Sequence, residues 1–104
     1  MREIKFRAWD RNREEMMFDC LNSMGNPDWR IGKVFMQYTG LKDKNGVEIY
    51  EGDIVEEGGH VAAIEWAKPN ASYCYKTRTG TAGLYAFYGE IIGNIYENPE
   101  LLGE

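Results

Sequence analysis

Residues 35–55 read FMQYTGLKDKNGVEIYEGDIV, two apolar runs joined by turn chemistry, and the reading of this stretch decides the fold. Phe35, Met36 and Tyr38 lead in, and Val47, Ile49 and Tyr50 lead out. Between them, Asn45-Gly46 supplies the positive φ angles of a tight turn without a Cβ penalty, and Asp43 is placed to accept a hydrogen bond from backbone two residues on. The flanking runs therefore fold back on one another as antiparallel strands. Gly52-Asp53 makes a second bend before Ile54 and Val55, and Gly58-Gly59 makes a third, predicting a hairpin over residues 54–66 with its turn at the paired glycines.

Upstream, Ile4, Phe6 and Ala8 alternate with Lys5, Arg7 and Trp9, the period-two pattern of a strand with one buried face. Residues 10–14 are polar and turn-prone, and Met16, Met17 and Phe18 follow as a second apolar run, so the expectation is a hairpin. A helix over residues 12–21, capped by Asn12, remains the alternative. Residues 22–28 are dense in turn formers and predict a loop. Residues 67–83 show little pattern, with Tyr73 and Tyr75 flanking Cys74 as a short strand. Residues 84–88 and 90–96 read as the last strands, and Asn98-Pro99-Glu100 places a cap, a proline and an acid at the start of one helical turn. Regular strands with short turns indicate a single-domain antiparallel barrel or pseudo-barrel, mainly β, closed by a short C-terminal helical turn. Gly52-Asp53-Ile54-Val55 has the form of a Gly-Asp-x-Val element that opens strands in SH3-like barrels.

The totals bound the function. At 104 residues, with 43% hydrophobic and 13% aromatic side chains, the chain has enough apolar surface for one core. A formal net charge of -5 disfavours a broad phosphate-binding surface. No apolar run reaches the length of a membrane span, and the charged first residues do not read as a signal peptide, so no membrane partner and a cytoplasmic location are expected. The two cysteines, Cys20 and Cys74, read as free thiols in a reducing compartment.

Few constellations carry chemistry. Asp43 through Glu48 superficially resembles the start of a calcium loop, but two lysines flank Asp43 and the further oxygen ligands are missing, so no metal is expected. His60, the one histidine, is the obvious general base; beside Gly58-Gly59 it reads better as a solvated turn residue. A hydrolase built from His60 and Asp53 is the weakest of three functional readings. No nucleophile elbow, phosphate loop, dinucleotide fingerprint or zinc spacing is present, so the chain is expected to be no enzyme and to need no cofactor. The case for nucleic acid rests on Lys5, Arg7 and Trp9 lying opposite the core face, with Arg11 and Arg13 nearby, since a basic face with an aromatic holds single strands by attraction and stacking. Against it, Trp9 could cover a secondary core.

Four segments carry a resemblance: REIKFRAWD from residue 2, MQYTGLKD from 36, EIYEGDIV from 48 and GNIYENPELL from 93. Together they resemble the YopX family of phage and prophage proteins. The resemblance implies a mostly β fold with an SH3-like or pseudo-barrel core and an origin in a bacteriophage or prophage, and it supplies no catalytic residues. The leading expectation is a non-enzymatic binding module acting on an unidentified host or phage protein or on a second copy of itself, as a homo-oligomer. A nucleic-acid-binding accessory protein using the basic N-terminal face is the alternative.

Overall fold

The stretch that opened the reading folds as its turns require. In the computed structural model, which describes residues 4–18, 32–68, 71–77, 80–84 and 87–103, β3 (Lys33–Lys42) turns at Asn45-Gly46 into β4 (Glu48–Tyr50). Gly46 sits at φ +83°, as the turn demands. The two strands are antiparallel, pairing Tyr38 with Tyr50 and Lys42 with Glu48, and their register slips between those pairs. Gly40, at φ +89°, absorbs the slip. Thr39 Oγ1 donates to the Ile49 carbonyl at 2.7 Å across it.

The remaining strands are β1 (Phe6–Asp10), β2 (Glu15–Phe18), β5 (Asp53–Glu57), β6 (His60–Ala63), β7 (Glu65–Ala67), β8 (Ser72–Thr77), β9 (Gly80–Gly83) and β10 (Glu90–Asn94). They form sheets ordered β2-β1-β3-β4, β10-β5-β6 and β7-β8-β9, antiparallel throughout, and the curled sheets make a half-barrel. The chain is mainly β and ends in a short 3-10 turn, Pro99–Leu102, as expected. Ile49, Val55, Ala62, Ile64, Tyr73, Tyr75 and Leu84 form the core, with Phe87 and Ile91 packed against them. Each fully buried branched side chain contributes about 1.5–3 kcal/mol.

Both anticipated hairpins are present. Glu57 pairs with His60 across Gly58-Gly59, whose φ angles of +59° and +85° are those of a two-residue hairpin turn. Asp10 pairs with Glu15 across residues 11–14, so residues 12–18 are turn and strand rather than helix. The rest of that helical alternative, the loop at residues 22–28, Cys20 and Arg78 lie outside the described residues.

Three expectations need correction. The run over residues 60–66 is not one strand: at Ile64 the chain leaves β5 and, as β7, pairs with β8. Residues 84–88 are not a strand where described; Phe87 N–H donates to the Leu84 carbonyl in a turn that drives the Phe87 ring into the core. Asn98 makes no side-chain cap on the 3-10 turn, because its Oδ1 accepts the Asn94 N–H at 3.2 Å instead.

Candidate binding site

The residues singled out at the N-terminus do not form an open face. Arg7 is 5% exposed and Trp9 is 8% exposed, because β1 is an interior strand of a curled sheet with chain packed on both of its faces. Trp9 stacks on Tyr96, with ring centroids 5.8 Å apart. Arg7 reaches the neighbouring sheet, where Nη2 lies 2.8 Å from Asp53 Oδ1 and the guanidinium lies 4.8 Å from the centre of the Tyr50 ring. Its Nε has no hydrogen-bond partner. Lys5 pairs with Glu48 and lies 5.5 Å from the Tyr38 ring centre. Arg11 and Arg13 are exposed in the β1–β2 turn, where Arg13 approaches Glu15 at 3.4 Å. The basic face with an aromatic expected on this strand is therefore not formed: two of the five named side chains, Arg7 and Trp9, are interior.

The acids expected at turns serve as acceptors for backbone. Asp43 Oδ1 takes the N–H groups of Asn45 and Val47 at 2.9 Å each, and Oδ2 takes that of Ile91 at 3.0 Å, which ties the β3–β4 turn to β10. Burial pushes the Asp43 carboxyl up, but the Ile91, Val47 and Asn45 amides outweigh it and hold the group below its ordinary value. Asp53 takes the Tyr50 N–H at 2.7 Å in addition to Arg7. There burial wins, and the carboxyl is pushed up despite Arg7 and the amide. Asp10 accepts the Arg13 and Asn12 amides, and the Arg13 bond leads in holding its carboxyl low. Among the described residues no group of three or more His, Cys, Asp or Glu is placed to hold a metal ion.

His60 and Asp53 have separate partners. The His60 Nε2–H donates to the Lys76 carbonyl at 2.9 Å, while Asp53 is engaged by Arg7 and Tyr50. His60 instead lines a cavity of about 230 Å³ at the mouth of the half-barrel, with Val55, Glu57, Gly58, Ala62, Tyr75 and Phe87. Val55, Glu57, His60 and Ala62 reach it together because Glu57 pairs with His60 and Val55 with Ala62, and alternate residues of a strand share a face. Tyr75 and Phe87 meet edge to face, with centroids 5.3 Å apart. The Tyr75 hydroxyl donates to Glu57 Oε1 at 3.2 Å, and Oε2 accepts the Tyr88 N–H. Burial, then the Glu57 charge and hydrogen bond, raise the Tyr75 hydroxyl above its ordinary value. The side chain of Tyr88, whose N–H Glu57 holds, is 81% exposed.

Sequence reasoning named His60, Gly58 and Gly59 but missed Glu57, Tyr75, Phe87 and Tyr88. The alternation of Val55 with Glu57 was the available signal: it aims an acid to the same side as a core valine. A second concavity, of about 460 Å³, runs between β3 and β7 and is lined by Phe35, Met36, Ile64, Trp66 and Tyr96 among others.

These features define a small half-barrel domain that carries an acid-and-aromatic pocket on an apolar floor. The chain belongs to the YopX protein family, whose sequence profile matches residues 19–103. It is similar to the crystal structure of protein EF1440 from Enterococcus faecalis, with 32% sequence identity and a TM-score of 0.67 over 98% of this chain and 99% of that one. No curated protein matches the chain. No helix among the described residues is long and apolar enough to cross a membrane.

Proposed function

We propose that the protein is a non-enzymatic binding module that engages a protein partner at the mouth of the half-barrel, inside a bacterial cell that carries a phage or prophage. The observation that supports this most is Tyr88, an 81% exposed residue whose backbone N–H is held by Glu57 of a concave pocket with an apolar floor. Its backbone is held by Glu57, so the ring is presented from an anchored point. Exposed aromatics next to a pocket are the residues from which interface hot spots are built. The nucleic-acid alternative loses support because Arg7 and Trp9 are interior.

The test is site-specific photo-crosslinking in a bacterial host. A benzophenone amino acid replaces Tyr88 in one variant and Arg13, whose side chain is 72% exposed in the β1–β2 turn, in another. The expected result is an adduct of one fixed mass from position 88, suppressed by excess unlabelled protein and missing from position 13. An adduct of twice the monomer mass identifies a second copy as that partner. Equal adducts from both positions, or adducts that nuclease removes, refute the reading.

A further inference from the structure

The pocket at the mouth is shaped and charged for one kind of group. Its floor is Val55 and Ala62, its walls are the rings of Tyr75 and Phe87, and Glu57 is the charged side chain among the described residues that line it. Asp10, Glu48 and Asp53 each meet a cation, namely Lys33, Lys5 and Arg7, whereas the buried Asp43 is held by backbone amides alone. Glu57 has no such partner among the described residues. It is instead oriented by two neutral donors, the Tyr75 hydroxyl and the Tyr88 N–H. A carboxylate has about four acceptor positions, so capacity remains for donors arriving from outside. The His60 Nε2–H is spent on the Lys76 carbonyl. An anion would meet acceptors here; a cation meets a carboxylate and aromatic rings, both of which attract it.

Size narrows the ligand further. At about 230 Å³ the pocket is smaller than the roughly 300–1,000 Å³ that take whole drug-sized molecules, and suits a single side chain. It does not stand alone. A cavity of about 540 Å³ runs along β6, and His60 and Ala62 line both cavities. β6 is an edge strand of its sheet, and edge strands offer backbone groups to an incoming chain.

From this we infer that the mouth pocket receives a lysine or arginine side chain carried by a short segment of a partner polypeptide lying beside β6. The alkyl stem covers Val55 and Ala62, and the cationic head meets Glu57 between the rings of Tyr75 and Phe87. The inference rests on the protein-binding reading above and adds the chemistry of the contact. It also gives Glu57, held so far by two neutral donors, a charged partner.

The test is a nuclear magnetic resonance titration of isotope-labelled protein with the capped pentapeptide Thr-Val-Lys-Val-Thr, its arginine, norleucine and glutamate analogues at the central position, and n-butylammonium as a free amine. The lysine and arginine peptides are expected to shift the signals of Val55, Gly58 and Ala62. The norleucine peptide, which keeps the stem without the charge, should bind at least about tenfold more weakly, or about 1.4 kcal/mol. Glu57→Gln should abolish that discrimination while the spectrum shows the fold intact, and Glu57→Asp should reduce it. Equal binding of lysine and norleucine, discrimination that survives Glu57→Gln, shifts mapping away from the mouth, or no binding of any peptide at millimolar concentration would overturn the inference. n-Butylammonium binding as tightly as the lysine peptide overturns the polypeptide source. A crosslinked partner whose contacting segment lacks lysine and arginine sinks this inference and leaves the protein-binding reading standing. Loss of position-88 crosslinks does the reverse to that reading.

Discussion

Replacing Arg7 by methionine removes the cation from a pair whose side chains are 6% and 3% exposed, and leaves the Asp53 carboxyl to face burial alone. The carboxylate keeps the Tyr50 N–H at 2.7 Å but loses a guanidinium at 2.8 Å. Breaking a buried pair from one side costs about 3–5 kcal/mol. An independent limit comes from protonation, because the stranded group escapes its penalty by taking up a proton. From an unfolded-chain value of 3.8 to neutral pH is about 3 pH units, at 1.36 kcal/mol each, so the charge penalty cannot exceed roughly 4 kcal/mol. For a domain of this size a loss of 3 kcal/mol lowers Tm by roughly 12 °C or more. The sign of the pH dependence follows. Burial has already raised the Asp53 carboxyl, and removing Arg7 raises it further. The group's contribution is then fully present below pH 3.8 and is lost as pH rises through the folded value, so the gap between wild type and Arg7→Met widens from acid to neutral pH. Adding Asp53→Asn removes the carboxylate and retains an acceptor for the Tyr50 N–H, so the double variant recovers most of the loss. Urea unfolding followed by tryptophan fluorescence, to which Trp9 stacked on Tyr96 contributes, measures all three proteins. A neutral-pH penalty below about 1 kcal/mol, a penalty that does not change with pH, or a double variant no more stable than Arg7→Met would refute the reasoning.

Other outcomes follow from the same geometry. Asp43→Asn keeps an oxygen for the turn amides but turns an N–H donor towards either them or Ile91, at a cost of about 1–3 kcal/mol in urea midpoints. Because the Asp43 carboxyl is held low, its contribution is present above pH 3.8 and lost as pH falls through the folded value, so the variant should show a flatter acid limb. Gly46→Ala meets no atom and pays only for its φ of +83°, about 1 kcal/mol, whereas Gly89→Ala would collide with the Glu56 carbonyl oxygen and should fail to give a native spectrum. Tyr75 should ionise above its ordinary value of 10.0 in ultraviolet titration, and Glu57→Gln should bring it down towards that value without removing the part due to burial.

The turns were legible because their chemistry is local. Asn45-Gly46 and Gly58-Gly59 need positive φ angles that few residues tolerate, and the Oδ1 bonds of Asp43 fall within four residues of it, so pattern alone found all three, though not the bond from Asp43 to Ile91. The facing of β1 was not legible in the same way. Its alternation correctly buried Ala8, but whether Arg7 and Trp9 meet water depends on chain 46 or more residues away, Asp53 and Tyr96, which curls over the second face. A buried arginine looks like a solvated one until its acid is known. The strand change at Ile64 was hidden for a related reason: nothing in the apolar pattern of residues 60–66 distinguishes pairing with β5 from pairing with β8. The pocket residues were scattered over β5, β6, β8 and the segment after β9, so no single window contained them.

That strand change also explains why the open end lies where it does. By passing from β10-β5-β6 to β7-β8-β9 at Ile64, one continuous run of chain joins two sheets at its middle and lets them part towards its start. At Ile64 the sheets are stitched: its N–H donates to the Asp53 carbonyl at 2.9 Å and its carbonyl accepts the Gly52 N–H at 3.0 Å. Four residues earlier, β6 and β8 are bridged by the His60 side chain rather than by a ladder. Core residues Val55, Ala62 and Tyr75 thus end at a gap instead of at another strand. A gap floored by core residues would bind water poorly and expose apolar surface, unless the rim is polar; here the rim is Glu57 and His60. Asp53 holds the start of β5 and Asp43 ties β10, the neighbour of β5, to the β3–β4 turn, so a ligand entering the pocket meets groups already in place, and binding need not be weakened by ordering them.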